Sequence, residues 1–310
     1  RTVALDAAVK PGGLLVAHLS DFHYDFGLEG RLDPLLQEVL RELDVAKPDL
    51  ILLTGDFVNR DPRPVETFCQ RFARKLPALA RHGVFASLGN HDGYGSASTL
   101  PDGFASSEDL IAQALTDVGI RVLRNELAEA CEGVRICGLE DLWSPSGWRG
   151  HRAAMEALQR EGRGGVRLLM SHNPDTAQHL REYAYDIQFS GHTHGGQICL
   201  PPLIRLPWYG PYNIPVLGLL RPIFDWSLSH FKLANLVIGS MRRKHKFSYV
   251  VNHWEWAQGL HLLSGGQGDS QEATKHLSVS RGLGAHRNMR LCCPPELTLV
   301  TLVGCKDRTS

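Results

Sequence analysis

No charge of either sign is in excess: Lys+Arg 33 and Asp+Glu 33 cancel over 310 residues. That balance removes any global electrostatic reason to bind nucleic acid, and none is expected as a partner. No CxxC pair occurs, and the cysteine count of seven is odd. Both absences argue against a zinc ribbon or a disulfide framework and point to a reducing compartment. No uninterrupted apolar run approaches the ~18 residues that a membrane-spanning helix needs. Repeats and low-complexity tracts are also missing, and a 43% hydrophobic fraction with 21% charged residues excludes global disorder. A chain this long can bury a large core. It opens on Arg1, which leaves room for a signal or anchor segment upstream.

What is abundant is histidine, with 15 residues, several grouped with Asp, Asn and Gly. The groups fall after short apolar runs that read as buried strands: 14–19, 50–53, 84–88, 166–170 and 186–190. Helical spacing predicts helices over 33–46 (Asp33 as N-cap before Pro34), 64–81 with a break at Pro77, 107–118 and 151–160. Further strands are expected at 120–123, 134–139, 277–281 and 296–303. Strands alternating with helices predict an α/β fold.

Five polar motifs each follow one of the buried strands. They are Asp21-Phe22-His23, Gly55-Asp56, Gly89-Asn90-His91-Asp92, Ser171-His172 and Gly191-His192-Thr193-His194. Each alone reads equally as an Asx turn, a cap or a core histidine. Five in succession, all at strand ends, converge on one pocket, because ligands bind at the carboxyl ends of strands in α/β sheets. Mixed Asp, Asn and His donors suit Mn, Fe or Zn better than Ca or Mg, and a two-metal site needs a shared carboxylate.

This order of motifs resembles the calcineurin-like metallophosphoesterase superfamily over residues 14–200. The resemblance implies a four-layer α/β/β/α sandwich and a phosphohydrolase with two divalent metal ions, Mn first, with Fe or Zn as alternatives. It implies that Asp21, His23 and His194 hold one ion, that Asn90, His172 and His192 hold the other, and that Asp56 bridges them. His91 would act on the substrate phosphate or leaving oxygen, oriented by Asp92, with Asn90 and Arg60 contributing to substrate binding. Many family members carry Asp-Arg where this chain has Asn59-Arg60, so only the arginine is retained.

Residues 201–262 differ in character. They hold Trp208, Trp226, Trp254 and Trp256, and seven basic residues against Asp225 and Glu255. They read as an insertion that meets a membrane surface or an acylated substrate, with a helix over 224–238 and a basic cluster at Arg242–Lys246. The expected organisation is a core in two parts, 1–200 and 263–310, around a cap of 201–262. Gly195-Gly196-Gln197, Ser280-Arg281-Gly282 and Cys293-Pro294-Pro295 resemble a bacterial branch of membrane-associated phosphoesterases. That branch includes enzymes that cleave the pyrophosphate of UDP-2,3-diacylglucosamine to UMP and 2,3-diacylglucosamine 1-phosphate in lipid A biosynthesis. The resemblance implies an acylated nucleotide-sugar substrate and a peripheral place on the cytoplasmic face of a bacterial inner membrane. The alternatives are a membrane-associated phosphodiesterase acting on phospholipid headgroups or envelope polymers, and a non-catalytic scaffold.

Overall fold

The computed structural model describes residues 1–5, 9, 12–93, 100–101, 103–142, 144, 147–162, 164–199, 251–263, 274–285 and 290–304. The chain opens with β1 (Thr2–Leu5), β2 (Leu14–Leu19), α1 (Glu29–Ala46), β3 (Leu50–Thr54), α2 (Pro64–Arg71) and β4 (Val84–Ser87). It continues through α3 (Ser107–Asp117), β5 (Arg121–Val122), β6 (Glu126–Cys131), β7 (Val134–Gly138) and α4 (Gly147–Arg160). Next come β8 (Val166–Met170), α5 (Thr176–His179), β9 (Ile187–Ser190), β10 (Gly259–Leu263), β11 (Lys275–Val279) and β12 (Thr298–Gly304). Two six-stranded sheets result, ordered β1-β12-β2-β3-β4-β5 and β10-β11-β9-β8-β7-β6. In both, the central strands run parallel.

Strand periodicity explains why the runs are largely apolar. Successive side chains point to opposite faces. Leu14 and Val16 of β2, with Leu50 and Leu52 of β3, meet Val166, Leu168 and Met170 of β8 in the core between the sheets. Ala17, Leu19, Ile51 and Leu53 face the other way, onto Leu36, Val39 and Leu43 of α1 and onto Phe68 of α2. Leu169 of β8 turns outward onto Met155 and Leu158 of α4. Neither face of these strands meets water, and each fully buried leucine contributes about 2 kcal/mol. The layers are therefore helix, sheet, sheet, helix, as expected.

Several boundaries differ from the sequence reading. Helix α1 begins at Glu29, with Pro34 inside its second turn. Asp33 is not its cap; its carboxylate accepts from the Tyr24 hydroxyl at 2.9 Å and from Arg71. The segment 64–81 divides at Phe72, before Pro77 and not at it, into α2 and a 3-10 helix at Ala73–Leu79 that contains Pro77. Residues 251–262 belong to the core and not to an insertion. Strand β10 pairs antiparallel with β11, Trp254 is buried with Val251 and Ala257, and Trp256 packs against Ala177, Leu277 and Val279. Residues 201–250, with Trp208, Trp226, the 224–238 helix and the basic cluster, lie outside the described residues. Among the described residues no helix is long and apolar enough to cross a membrane.

Candidate metal centre

Six loops meet where the two sheets present the carboxyl ends of their strands. Those after β2, β3 and β4 carry Asp21 and His23, Asp56, and Asn90 to Asp92. Those after β8 and β9 carry His172, and His192 with His194. The loop after β11, Ser280–Ala285, brings no donor but clamps the first: Leu283 N–H donates to the Ser20 carbonyl at 3.0 Å and Gly284 N–H to that of Asp21 at 2.7 Å. Gly282 (φ +71°) lies so near Asp21 that a Cβ there would come within 2.5 Å of Asp21 Cβ.

Asp21, His23, Asp56, His192 and His194 all have positive φ, between 43° and 72°. Asp and His tolerate this left-handed region better than most residues, and five of them together amount to stored backbone strain. The strain turns the side chains back toward one another. Potential donor atoms of Asp21, His23, Asp56 and His194 form one cluster, and those of Asp56, His172 and His192 a second, each spanning at most 4.8 Å. Asp56 is common to both, as a bridging carboxylate must be. His23 Nε2 lies 3.0 Å from His194 Nε2 and 3.4 Å from Asp56 Oδ2. His172 Nε2 lies 3.2 Å from Asp56 Oδ2 and 3.3 Å from His192 Nδ1.

Hydrogen bonds at the rear determine what these rings offer at the front. His172 Nδ1 is 2.6 Å from the Thr54 carbonyl, which can only accept. The neutral ring therefore keeps its proton on Nδ1 and points the Nε2 lone pair at Asp56 Oδ2. That carboxylate oxygen is buried and receives no hydrogen bond. Two opposed lone pairs at 3.2 Å require a proton or a cation between them. Burial disfavours the His172 cation, but Asp56 outweighs burial and raises His172 to about 10. The converse holds at Asp56: burial favours its neutral form, yet the surrounding imidazoles keep its carboxyl well below the usual range. Burial, with the repulsion of Asp56, raises Asp21 to about 6. Burial and the neighbouring His23 keep His194 neutral. Imidazoles and carboxylates packed this closely form a donor set suited to two divalent cations, which would take the place of the His172 proton.

The four-residue motif after β4 behaves differently from expectation. Gly89 packs flat on the centre; a Cβ there would overlap Asp56 and approach His172 Cε1 at 2.9 Å. Asn90 is buried on the same turn. His91 N–H donates to Asp56 Oδ1 at 2.8 Å, and its half-buried ring stands edge-on to His23 with centroids 4.6 Å apart. Its Nδ1 is 2.6 Å from the Asn59 carbonyl. Asp92, expected to orient His91, is instead engaged with the backbone. Its two oxygens accept from Gly89 N–H (2.8 Å), Asp56 N–H (3.0 Å), Phe57 N–H (2.8 Å) and Val58 N–H (3.4 Å). It fastens the Asp56 loop to the His91 turn. Arg60 is exposed, next to the residue that holds His91. The sequence reading missed the carbonyls of Thr54 and Asn59, since a main-chain acceptor leaves no side-chain signature.

Known proteins resemble this chain along most of its length. UDP-2,3-diacylglucosamine pyrophosphatase LpxG of Chlamydia trachomatis serovar D is 28% identical, with 93% of this chain and 83% of that protein covered. Phosphodiesterase YaeI of Escherichia coli K12 is 28% identical over 93% of this chain and 82% of its own. The metallophosphoesterase YkuE of Bacillus subtilis 168 is 29% identical over 92% and 76%. The calcineurin-like phosphoesterase family model matches residues 14–196, which carry every candidate donor. This chain accordingly belongs to the calcineurin-like phosphoesterase family and is a metal-dependent phosphoester hydrolase.

Proposed function

We propose that the chain hydrolyses the pyrophosphate of UDP-2,3-diacylglucosamine, releasing UMP and 2,3-diacylglucosamine 1-phosphate. The observation that carries this reading is the likeness to LpxG over 93% of the chain, which takes in the aromatic and basic segment as well as the centre. An acylated substrate suits that segment: indole and tyrosine rings favour the membrane interface, and lysine and arginine favour anionic headgroups. The same features support a peripheral position on the cytoplasmic face of a bacterial inner membrane, where a UDP-linked lipid is made. Likeness to YaeI at the same 28% identity favours a second reading, a phosphodiesterase acting on phospholipid headgroups or envelope polymers.

Asp21, His23 and His194 would hold one ion, Asn90, His172 and His192 the other, and Asp56 would bridge them, with Mn the first choice. Two divalent cations held there would acidify a water and offset the charge on the phosphoryl oxygens. The protein's part is to aim the donors. Thr54 holds the tautomer of His172, and the Asp21 carboxylate accepts from His192 N–H at 3.0 and 3.1 Å, keeping the two histidine loops in register. His91 would face the substrate. Its Nδ1–H stays on the Asn59 carbonyl, so the proton delivered to the leaving oxygen comes from Nε2–H of the imidazolium. Arg60, exposed beside this group, would contribute to substrate binding.

The test is UMP release from UDP-2,3-diacylglucosamine in mixed micelles with added Mn, with Asp56→Ala as the blank. Release that vanishes in the variant supports the substrate and the bridging role. Hydrolysis of bis(p-nitrophenyl) phosphate or a phospholipid without UMP release would overturn the substrate and favour the second reading.

A further inference from the structure

We infer that Cys199 and Cys293 are an oxidisable thiol pair: a hydroperoxide links them as a disulfide and thereby loosens the turn that carries His194. This rests on the reading of His194 as a metal ligand. Both cysteines are buried against that turn. The Cys293 thiol donates to the His194 carbonyl at 3.1 Å, and the Cys199 thiol to the Gly195 carbonyl at 3.0 Å. The Cys293 sulfur is also 3.7 Å from the Gly195 carbonyl, and the two sulfurs lie within hydrogen-bonding reach of one another. Their backbones are tied as well. Ile198 forms a parallel bridge with Leu291, and Cys199 N–H donates to the Leu291 carbonyl at 3.0 Å.

The surroundings favour attack by the Cys293 sulfur. Arg290 Nη1 is 3.9 Å from it, and Arg290 Nη2 donates to the Arg281 carbonyl at 2.7 Å and to that of Gly282 at 3.1 Å, which pins the guanidinium there. A pinned cation stabilises the negative charge on a sulfur as it attacks a peroxide. Arg290, Cys292 and Cys293 line a cavity of about 450 Å³ against Leu32 and Leu35 of α1, which admits a small oxidant to the buried sulfur. The Cys293 sulfur takes one oxygen from the hydroperoxide and becomes a sulfenic acid, while the hydroperoxide is reduced to water or an alcohol. The Cys199 sulfur then attacks the Cys293 sulfur. The S–S bond forms, the S–O bond breaks, and hydroxide leaves with the Cys199 proton as water.

The consequence reaches the metal centre through the backbone. A disulfide has no S–H, so the His194 and Gly195 carbonyls both lose their thiol donors, and the His194 carbonyl keeps Gln197 N–H at 3.1 Å. The two sulfurs must also close to about 2 Å. Gly195 packs directly on the Cys293 sulfur, where a Cβ would come within 2.7 Å, so the turn moves when that sulfur moves. His194 and Gly195 both hold positive φ, 51° and 62°, and depend on their neighbours to stay there. Groups behind a metal ligand typically set metal affinity by about 10–100-fold, and these thiols stand behind His194.

The experiment treats the Mn-loaded chain with hydrogen peroxide, removes the excess with catalase and compares wild type with Cys199→Ser, Cys293→Ser and Cys292→Ser. Peptide mapping without reductant, counting of bound Mn and hydrolysis of bis(p-nitrophenyl) phosphate are read on each. Oxidised wild type should yield a Cys199–Cys293 peptide, bind one Mn about ten-fold or more weakly and lose turnover in step; a phosphine reductant with added Mn should restore both. Untreated variants should work within about two-fold of untreated wild type. After peroxide, Cys199→Ser and Cys293→Ser should keep Mn and turnover, and Cys292→Ser should respond as wild type does. Absence of the linked peptide, equal losses in the Cys199 and Cys293 variants, protection by Cys292→Ser, or a linked chain with unchanged Mn and turnover would each overturn the pair. His194→Ala in the reduced chain tests the ligand reading by itself: full Mn retention there would remove His194 from the centre, whereas the peptide map judges the thiol pair whatever that result.

Discussion

Replacing Asp92 with Asn separates a backbone clasp from a proton-relay partner. The carboxylate accepts four main-chain N–H groups from two loops, and it is fully buried. An amide has one acceptor oxygen; its NH2 would face either the Gly89 and Asp56 donors or the Phe57 and Val58 donors. Two buried N–H groups then lose their acceptor at about 1–3 kcal/mol each, so the variant should lose roughly 4 kcal/mol. With an unfolding entropy of about 2 cal/mol/K per residue, a chain of this size should melt about 6 °C lower. Either pair includes an N–H of the loop at Asp56 and Phe57, so the bridging carboxylate should drift and metal occupancy should fall. Thermal unfolding with and without EDTA, metal counting, and turnover at saturating Mn measure all three. A variant that melts with wild type, binds two ions per chain and differs only in its pH–rate profile would refute the clasp and restore Asp92 as the partner of His91.

Other outcomes follow from the same geometry. His91→Ala keeps the backbone N–H on Asp56, so metal content should stay near wild type while turnover falls about 10²–10⁴-fold; loss of both ions would remove His91 from proton transfer. Gly89→Ala drives a methyl group into Asp56 and His172, and metal counting should find the centre depleted; a fully loaded, active variant would contradict the packing. The pH dependence has a definite sign. His172 stands at about 10 in the metal-free fold against an ordinary 6.5, because Asp56 outweighs burial. The pair therefore stabilises the metal-free fold fully below about pH 6.5 and progressively less as pH rises through about 10. Urea midpoints in EDTA should fall across that window. Mn addition at neutral pH should release a proton into a weak buffer, and no release would sink the assignment.

Much of the core and the chemistry was legible in the linear chain because both are local. A strand buried on both faces is apolar at nearly every position, so 14–19, 50–53 and 166–170 announce themselves despite His18 and Arg167. Donor residues placed directly after such strands point to one pocket without any knowledge of pairing. The partner-dependent edge strands β6 and β10 were not legible. Strand β6 mixes Glu126 and Glu129 with small residues, and β10 looks like the tail of an aromatic insertion; each is a strand only because β7 or β11 supplies its hydrogen bonds. Trp254 and Trp256, read as membrane-facing, pack against the protein itself.

The sequence alone therefore placed the candidate donors after buried strands and set the order of the loops, since these depend on residue type and strand periodicity; the ligand set and the phosphohydrolase chemistry came with the family resemblance. The tertiary structure decided which residue serves which. Asp92 belongs to the backbone 35 residues away, His91 to the Asn59 carbonyl, and His172 to a Thr54 carbonyl 118 residues distant. Main-chain acceptors and donors are the same in every residue, so only the folding of distant segments into contact could assign them.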